Sequence, residues 1–169
     1  MYQVGDWIFY GNTGACQVTD VSKRKIPGID TEMLYYTLQP LNDSCSISTP
    51  ANGKIFTRPL ITRAEAEALI DAIPSIDAQI YHSPVLRQLS EHYEKSLNTH
   101  DCLSLIKMTL SIHLKKEQAE KQKRKLGAVD EKFMKRAEEL LFSELAVALG
   151  IQKDKVAEYI EERLEGATA

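Results

Sequence analysis

Short runs of alternating apolar and polar residues, divided by turns, occupy the first sixty residues of the chain. Alternation of this kind is typical of β-strands that bury one face. The intervening turns are rich in glycine, proline and asparagine, which favour reversals of the backbone. We expect four strands here, forming a small curled antiparallel sheet or a β-barrel. The predicted strands cover residues 7–10, 15–22, 33–39 and 45–49.

From about Thr62 the spacing of apolar residues changes to three and four, and glycine and proline become rare. This period predicts amphipathic helices. Thr62 and Glu65 have the spacing of a capping box, and Ser83-Pro84 has the composition of a helix start. The predicted helices cover about residues 62–72, 83–97, 102–124, 130–150 and 153–164.

The two patterns together predict an α+β chain with a small antiparallel β-barrel domain in residues 1–60 and an all-α bundle domain in residues 61–169. Isolated helices of these lengths are marginal in water, so packing of their apolar faces must supply most of their stability. In the second helix, Leu86, Leu89, Tyr93 and Leu97 share one face, and we expect all four to pack in the bundle.

The composition is that of a foldable chain, with 43% hydrophobic and 27% charged residues. No apolar run approaches the roughly 18–20 residues of a membrane helix, and the first residues lack the pattern of an export signal. Three cysteines far apart, Cys16, Cys45 and Cys102, fit reduced thiols better than disulfides. We therefore expect a cytoplasmic protein that does not bind membranes.

A local excess of basic residues interrupts an otherwise acidic helical region. Residues 101–136 hold ten basic and five acidic side chains, whereas the whole chain carries a formal charge of −3. Lys132, Lys135 and Arg136 share one face of a predicted helix and are candidates for phosphate contacts with DNA. Alternatively, Glu139 forms an ion pair with Lys135 or Arg136 within the helix and neutralises part of this charge. The bases of residues 115–125 point to all sides, as expected of a solvated helix end.

No pattern of catalytic or metal-binding residues is visible. There is no phosphate-binding glycine loop, no Cys-x-x-Cys and no nucleophile elbow. Cys102 and His113 are eleven positions apart on one predicted helix, about 16 Å by the helical rise, which excludes a hydrogen-bonded dyad. The four histidines are expected on exposed polar surface. We expect no enzyme activity, no cofactor, no metal and no small-molecule substrate.

Five segments follow one another in a recognisable order along nearly the whole chain: Val4-Gly5-Asp6-Trp7-Ile8-Phe9-Tyr10-Gly11-Asn12-Thr13-Gly14-Ala15, Tyr35-Tyr36-Thr37-Leu38, Thr49-Pro50-Ala51-Asn52, Arg58-Pro59-Leu60-Ile61 and the stretch of residues 140–151. In sequence and order, these segments resemble the CarD/CdnL family of bacterial transcription regulators. The resemblance implies a Tudor-like or SH3-like module, shared with transcription-repair coupling factors, that binds the RNA polymerase β subunit. It further implies a helical domain that contacts promoter DNA at the upstream edge of the melted bubble and stabilises the open complex.

The resemblance also implies which residues contact polymerase. Arg24 and Ile26, with Lys23 beside them, match a polymerase-contacting stretch of the family. Ser48 occupies the position of a second family arginine, so that contact is weaker here or made otherwise.

For DNA, the resemblance points to the start of the second helix. Family members place a tryptophan there as a wedge at the bubble edge, and this chain has Val85 or Leu86 at the matching place. An aliphatic side chain can also wedge between bases. Arg87 is placed to reach a phosphate, although Glu91 competes for it.

Two hypotheses follow for a chain that we expect to be a monomer. In the first, it is a regulator that binds polymerase β and promoter DNA. In the second, it is a polymerase-bound adaptor whose helices recruit a protein and do not contact DNA. The acidic last segment and the absence of the family tryptophan favour the second.

Overall fold

The computed structural model describes residues 2–25, 27–28 and 32–168. In this part of the chain the N-terminal region forms one five-stranded antiparallel sheet with the order β4-β3-β2-β1-β5. Its strands are β1 (Trp7–Tyr10), β2 (Gly14–Lys25), β3 (Glu32–Pro40), β4 (Ile47–Pro50) and β5 (Thr57–Pro59).

The sheet does not close into a barrel, so that part of the fold prediction was wrong. The two edge strands are β4 and β5, and they are short, with four and three residues. β5, which the alternation pattern did not predict, pairs with β1 through Ile8, Phe9 and Tyr10. The chain then leads directly into the helices, and Arg58 of β5 bonds to a helix side chain. The β5 end of the sheet is therefore joined to the helical region both by the chain and by this contact.

Five α-helices follow the strands in the described residues, which confirms the α+β class and the order of its two halves. As predicted, Thr62 and Glu65 form a capping box. The second helix begins at Leu86, because the Ser83 hydroxyl accepts from Val85 N in the preceding turn and does not cap a helix at that point. No described helix is long and apolar enough to cross a membrane. The helices are α1 (Arg63–Ala72), α2 (Leu86–Leu97), α3 (Cys102–Lys121), α4 (Ala128–Leu149) and α5 (Val156–Thr168).

Strand β1 contributes to two hydrophobic cores, one on each side of the sheet. Ile8 and Tyr10 pack inside the sheet module, whereas Phe9 is fully buried in the core formed by the helices. This division follows from the alternation of side chains along a strand. The helical core is built mainly from α2, α3 and α4.

Polar contacts reinforce the junction between the sheet and α4. Arg58 forms an ion pair with the buried Glu144, and Ser143 Oγ accepts a hydrogen bond of 3.1 Å from Ala15 N. At Gly14 the backbone lies so close to α4 that an added Cβ would meet Ser143 Oγ at 2.6 Å. A domain boundary at residue 60 stays a prediction, since these contacts join the two halves directly.

Candidate interaction surfaces

The outer edge of β4 is one open margin of the sheet. β4 pairs with β3 from Ile47 opposite Leu38 to Pro50 opposite Tyr35, and it ends the strand order. No strand of the described sheet pairs with its other side. Edge strands of this kind present backbone donors and acceptors to which a partner's strand can add.

Beside this edge, Arg24 and Ser48 are in direct contact. Arg24 Nη1 donates to Ser48 Oγ at 2.8 Å, and the guanidinium carbon lies 5.4 Å from the centre of the Tyr35 ring. These contacts hold an exposed guanidinium over β3 and against β4. Two residues that the resemblance assigned to polymerase contact are thus brought together, and Tyr35 joins them. No signal in the sequence pointed to Tyr35 as a neighbour of Arg24.

Of the two other residues predicted to contact polymerase, the structure describes Lys23 but not Ile26. Lys23 is exposed in the last part of β2, which pairs with β3 in the described sheet, and it precedes Arg24 on the opposite face. With Lys25 also exposed, the end of this two-stranded ribbon is positively charged. Ile26 lies outside the described residues.

The first turn of α2 projects two aliphatic side chains into solvent. Val85 is 49% exposed and Leu86 is 64% exposed, whereas Leu89 on the same helix is buried. The prediction that Leu86 packs in the bundle was wrong: the helix begins at this residue, and the buried part of its apolar stripe starts one turn later, at Leu89. Arg87 pairs with Glu91 at 3.1 Å, and both side chains are largely exposed. An exposed pair of this kind contributes little, so Arg87 remains available for another anion.

The three basic residues of α4 make different contacts. Lys132 Nζ and the Arg136 guanidinium lie over the Phe133 ring, at 5.8 and 5.4 Å from its centre. Lys135 instead borders a cleft with Lys116 of α3. The alternative pairing with Glu139 is not formed, since no ion pair among the described residues joins it to Lys135 or Arg136.

Lys115, predicted as part of a solvated helix end, has a structural role. Its ammonium donates to Asp130 Oδ1 at 2.9 Å and to the carbonyl of Tyr81. Asp130 is buried and also accepts from the Tyr93 hydroxyl. Burial, together with this hydrogen bond and the nearby carboxylate, raises the pKa of Tyr93. Since this network links α2, α3 and α4, Lys115 is not part of a solvated helix end.

Two of the histidines are stacked on aromatic rings. From the sequence, all four were expected on exposed polar surface, and this stacking was not predicted. The His92 ring lies 3.7 Å from Tyr81 and remains exposed, while the half-buried His100 lies 4.4 Å from Phe56. Within the described ranges there is no group of three or more His, Cys, Asp or Glu side chains arranged to hold a metal ion.

Comparisons with known proteins do not identify the chain. No family model matches it, and a search of curated proteins finds no match. The relation to the CarD/CdnL family therefore stays a prediction from the sequence motifs.

Proposed function

We propose that the chain is a non-enzymatic bacterial transcription regulator of the cytosol. Its N-terminal sheet, as a Tudor-like or SH3-like module, binds the RNA polymerase β subunit, and its helices contact promoter DNA at the upstream edge of the melted bubble. The observation that supports this best is the open edge of β4 with Arg24 beside it.

The proposed contact with polymerase is the addition of a partner strand to β4. Backbone hydrogen bonds along the edge provide affinity, and neighbouring side chains provide selectivity. Arg24 is exposed, charged and oriented by Ser48 and Tyr35, so it favours a partner segment that carries a carboxylate.

The proposed contact with DNA begins at α2. Val85 and Leu86 form an exposed aliphatic tip that can cover the last base pair where the strands separate, and Arg87 follows them on the same turn. Tyr93, about 9 Å further along α2, packs on Phe133 of α4. Lys132 and Arg136 flank that ring, so they can extend the same contact along the phosphates. Lys135, on another side of α4, contributes less.

The mechanism is a shift of an equilibrium. A protein that binds polymerase in all states but touches DNA only when the bubble is open favours the open complex by its differential binding free energy. Each tenfold difference in affinity corresponds to about 1.4 kcal/mol. No covalent step is involved.

Binding of the full-length protein to polymerase, with and without fork-junction DNA, tests both contacts. Arg24→Glu is expected to weaken binding to polymerase by about thirtyfold or more, because losing one partner of a buried charge pair at an interface costs about 2 kcal/mol or more. Arg87→Glu is its matched control, since it should preserve polymerase binding and remove only the affinity that DNA adds. The proposal fails if neither charge reversal changes either affinity.

The acidic last segment of the chain favours the adaptor hypothesis. Residues 137–169 hold eight acidic and three basic side chains. Such a segment repels DNA. The adaptor is favoured if polymerase binds normally, DNA adds no affinity, and joint charge reversal of Lys132, Lys135 and Arg136 has no effect.

A further inference from the structure

An apolar groove runs along α4 between α3 and α5. Its volume is about 240 Å³, and it is open to solvent along one side. The helices account for it: α3 packs on α2 and α4, while α5 packs on α1 and α4, so a strip of α4 between α3 and α5 is left uncovered. Six half-buried hydrophobic side chains line it: Ile73, Leu110, Met134, Phe142, Ile160 and Leu164.

The size and shape of the groove indicate the kind of occupant. Sites that enclose small ligands commonly measure roughly 300–1,000 Å³, which is more than this groove offers. An open groove between two helices instead suits a few large side chains projecting from one face of a third helix. An apolar surface of this kind with polar residues at its rim is typical of a protein contact.

The charged residues of the groove are mainly acidic. Glu138 lies in its wall and is half-buried, and no described residue donates a hydrogen bond to its carboxylate. Burial raises the pKa of Glu138, although His113 and Lys116 nearby oppose this effect. Glu161 lies at the opposite rim on α5 and is exposed. A cation brought between these two carboxylates would be attracted by both and would compensate the poorly solvated Glu138.

We propose that this groove binds one amphipathic, basic helix of a partner protein. Apolar side chains of the partner at positions i, i+3 or i+4, and i+7 enter between α3 and α5, and a lysine or arginine of the same helix pairs with Glu138 and Glu161. The site is separate from the β4 edge and from the tip of α2, so it does not depend on binding to polymerase or DNA.

The full-length protein can be tested with a displayed library of helical peptides of about 15 residues, roughly four turns. The inward and flanking positions are randomised. Selection on the unmodified chain should enrich peptides with an apolar stripe and a net positive charge. Their affinity should fall by about tenfold on Leu110→Lys, since that lysine places a charge in the groove. Leu114→Lys is the matched control, because Leu114 lies one turn away on α3, is 41% exposed and is outside the groove; it should change affinity by less than about twofold.

A second pair of variants changes only the charge of one side chain and keeps its size. Glu138→Gln should weaken the selected peptides severalfold, whereas Glu139→Gln, which changes a neighbour outside the groove, should not. The proposal is overturned if no peptide is enriched, if acidic peptides are enriched, or if both members of either pair behave alike. It is also overturned if the unmodified chain self-associates through this face and Leu110→Lys makes it monomeric, since the occupant is then a second copy. Polymerase binding, measured on the same variants, should be unchanged, which separates this test from that of the proposed function.

Discussion

Arg58 of β5 and Glu144 of α4 form a bidentate ion pair, in which Nη1 lies 2.5 Å from Oε2 and Nη2 lies 2.8 Å from Oε1. The Glu144 side chain is 0% exposed and that of Arg58 is 21% exposed. The same carboxylate accepts from Ile61 N at 3.0 Å, and Arg58 Nε donates to the carbonyl of His100 at 2.8 Å. One pair thus joins the last strand, the segment before α1 and two helical regions.

Removing Arg58 should destabilise the protein strongly. Arg58→Met leaves the buried carboxylate of Glu144 without its cation, and loss of one partner of a buried pair typically costs about 3–5 kcal/mol. Urea unfolding measures the free energy. The matched control is Arg63→Met, which breaks an exposed pair with Glu67 and should cost less than about 1 kcal/mol. Equal effects of the two changes would show that the Arg58 pair is not a main support of the fold.

The effect of the close approach of β2 to α4 on stability can be measured by substituting two glycines of similar backbone geometry. Gly14 has φ +93° and would clash with Ser143, whereas Gly5 has φ +97° and no atom within 4 Å of an added Cβ. Both changes to alanine carry the cost of a positive φ, about 1–2 kcal/mol. Gly14→Ala should cost about 1–3 kcal/mol more, because it also overpacks the junction. Thermal or urea unfolding of both variants gives the difference, and a difference near zero would contradict this account.

Stability should fall as the solution becomes mildly acidic. Partial burial of its ring, with a smaller effect of Lys95, lowers the pKa of His92 below its usual value of 6.5. The unfolded chain therefore binds a proton more readily than the folded one, so this contribution to stability is complete above pH 6.5 and is lost as pH falls through the folded pKa. His92→Phe keeps a ring against Tyr81 and should flatten the dependence of the unfolding free energy between pH 7.5 and 5. Lys95→Gln should reduce it slightly, and an unchanged slope in His92→Phe would be evidence against this origin.

The three thiols should differ in reactivity. Cys45 is exposed, while Cys16 and Cys102 are buried. Burial raises the pKa of Cys16 to about 12 and also raises that of Cys102, so the reactive thiolate is suppressed at both. A colorimetric thiol reagent at pH 8 should modify one group rapidly in the native chain and all three in guanidinium chloride. Cys45→Ser should abolish the rapid phase; its persistence would mean that a buried cysteine opens readily.

If α2 acts as a wedge, a larger ring at its tip should strengthen it. Leu86→Trp adds a planar surface at a residue that is 64% exposed, and stacking on a base contributes about 1–3 kcal/mol. We expect the half-life of the open promoter complex to lengthen by roughly fivefold or more, measured by competitor challenge. Leu114→Trp, on an exposed part of α3, should have no effect. An unchanged half-life in Leu86→Trp would exclude wedging at this position.

Local patterns predicted the elements well, because their causes lie within a few residues. The capping box of Thr62 and Glu65 forms as its spacing indicates, and helix periodicity located all five helices. Strand β5 was not predicted, because a segment of three residues that ends in Pro59 is too short to show alternation of apolar and polar residues. These residues form a strand because they pair with β1.

The surfaces were less predictable, because they depend on neighbours distant in sequence. Leu86 fits an apolar stripe, yet only the position of the other helices determines that the stripe's first residue is uncovered. The position of Glu144 could have indicated a buried ion pair, since a carboxylate within the apolar stretch of residues 140–149 needs a cationic or hydrogen-bonding partner when it is buried. The sequence alone does not indicate that the partner is Arg58, 86 positions earlier.

The burial of Phe9 has a mechanical consequence. This side chain belongs to a strand of the sheet but lies within the core of the helices, so the sheet cannot rotate on α4 without opening that core. Through the pairing of β4 with β3, β3 with β2 and β2 with β1, the β4 edge is connected to the helical core at Phe9. A partner bound to the sheet therefore also determines the position of the first turn of α2 relative to itself.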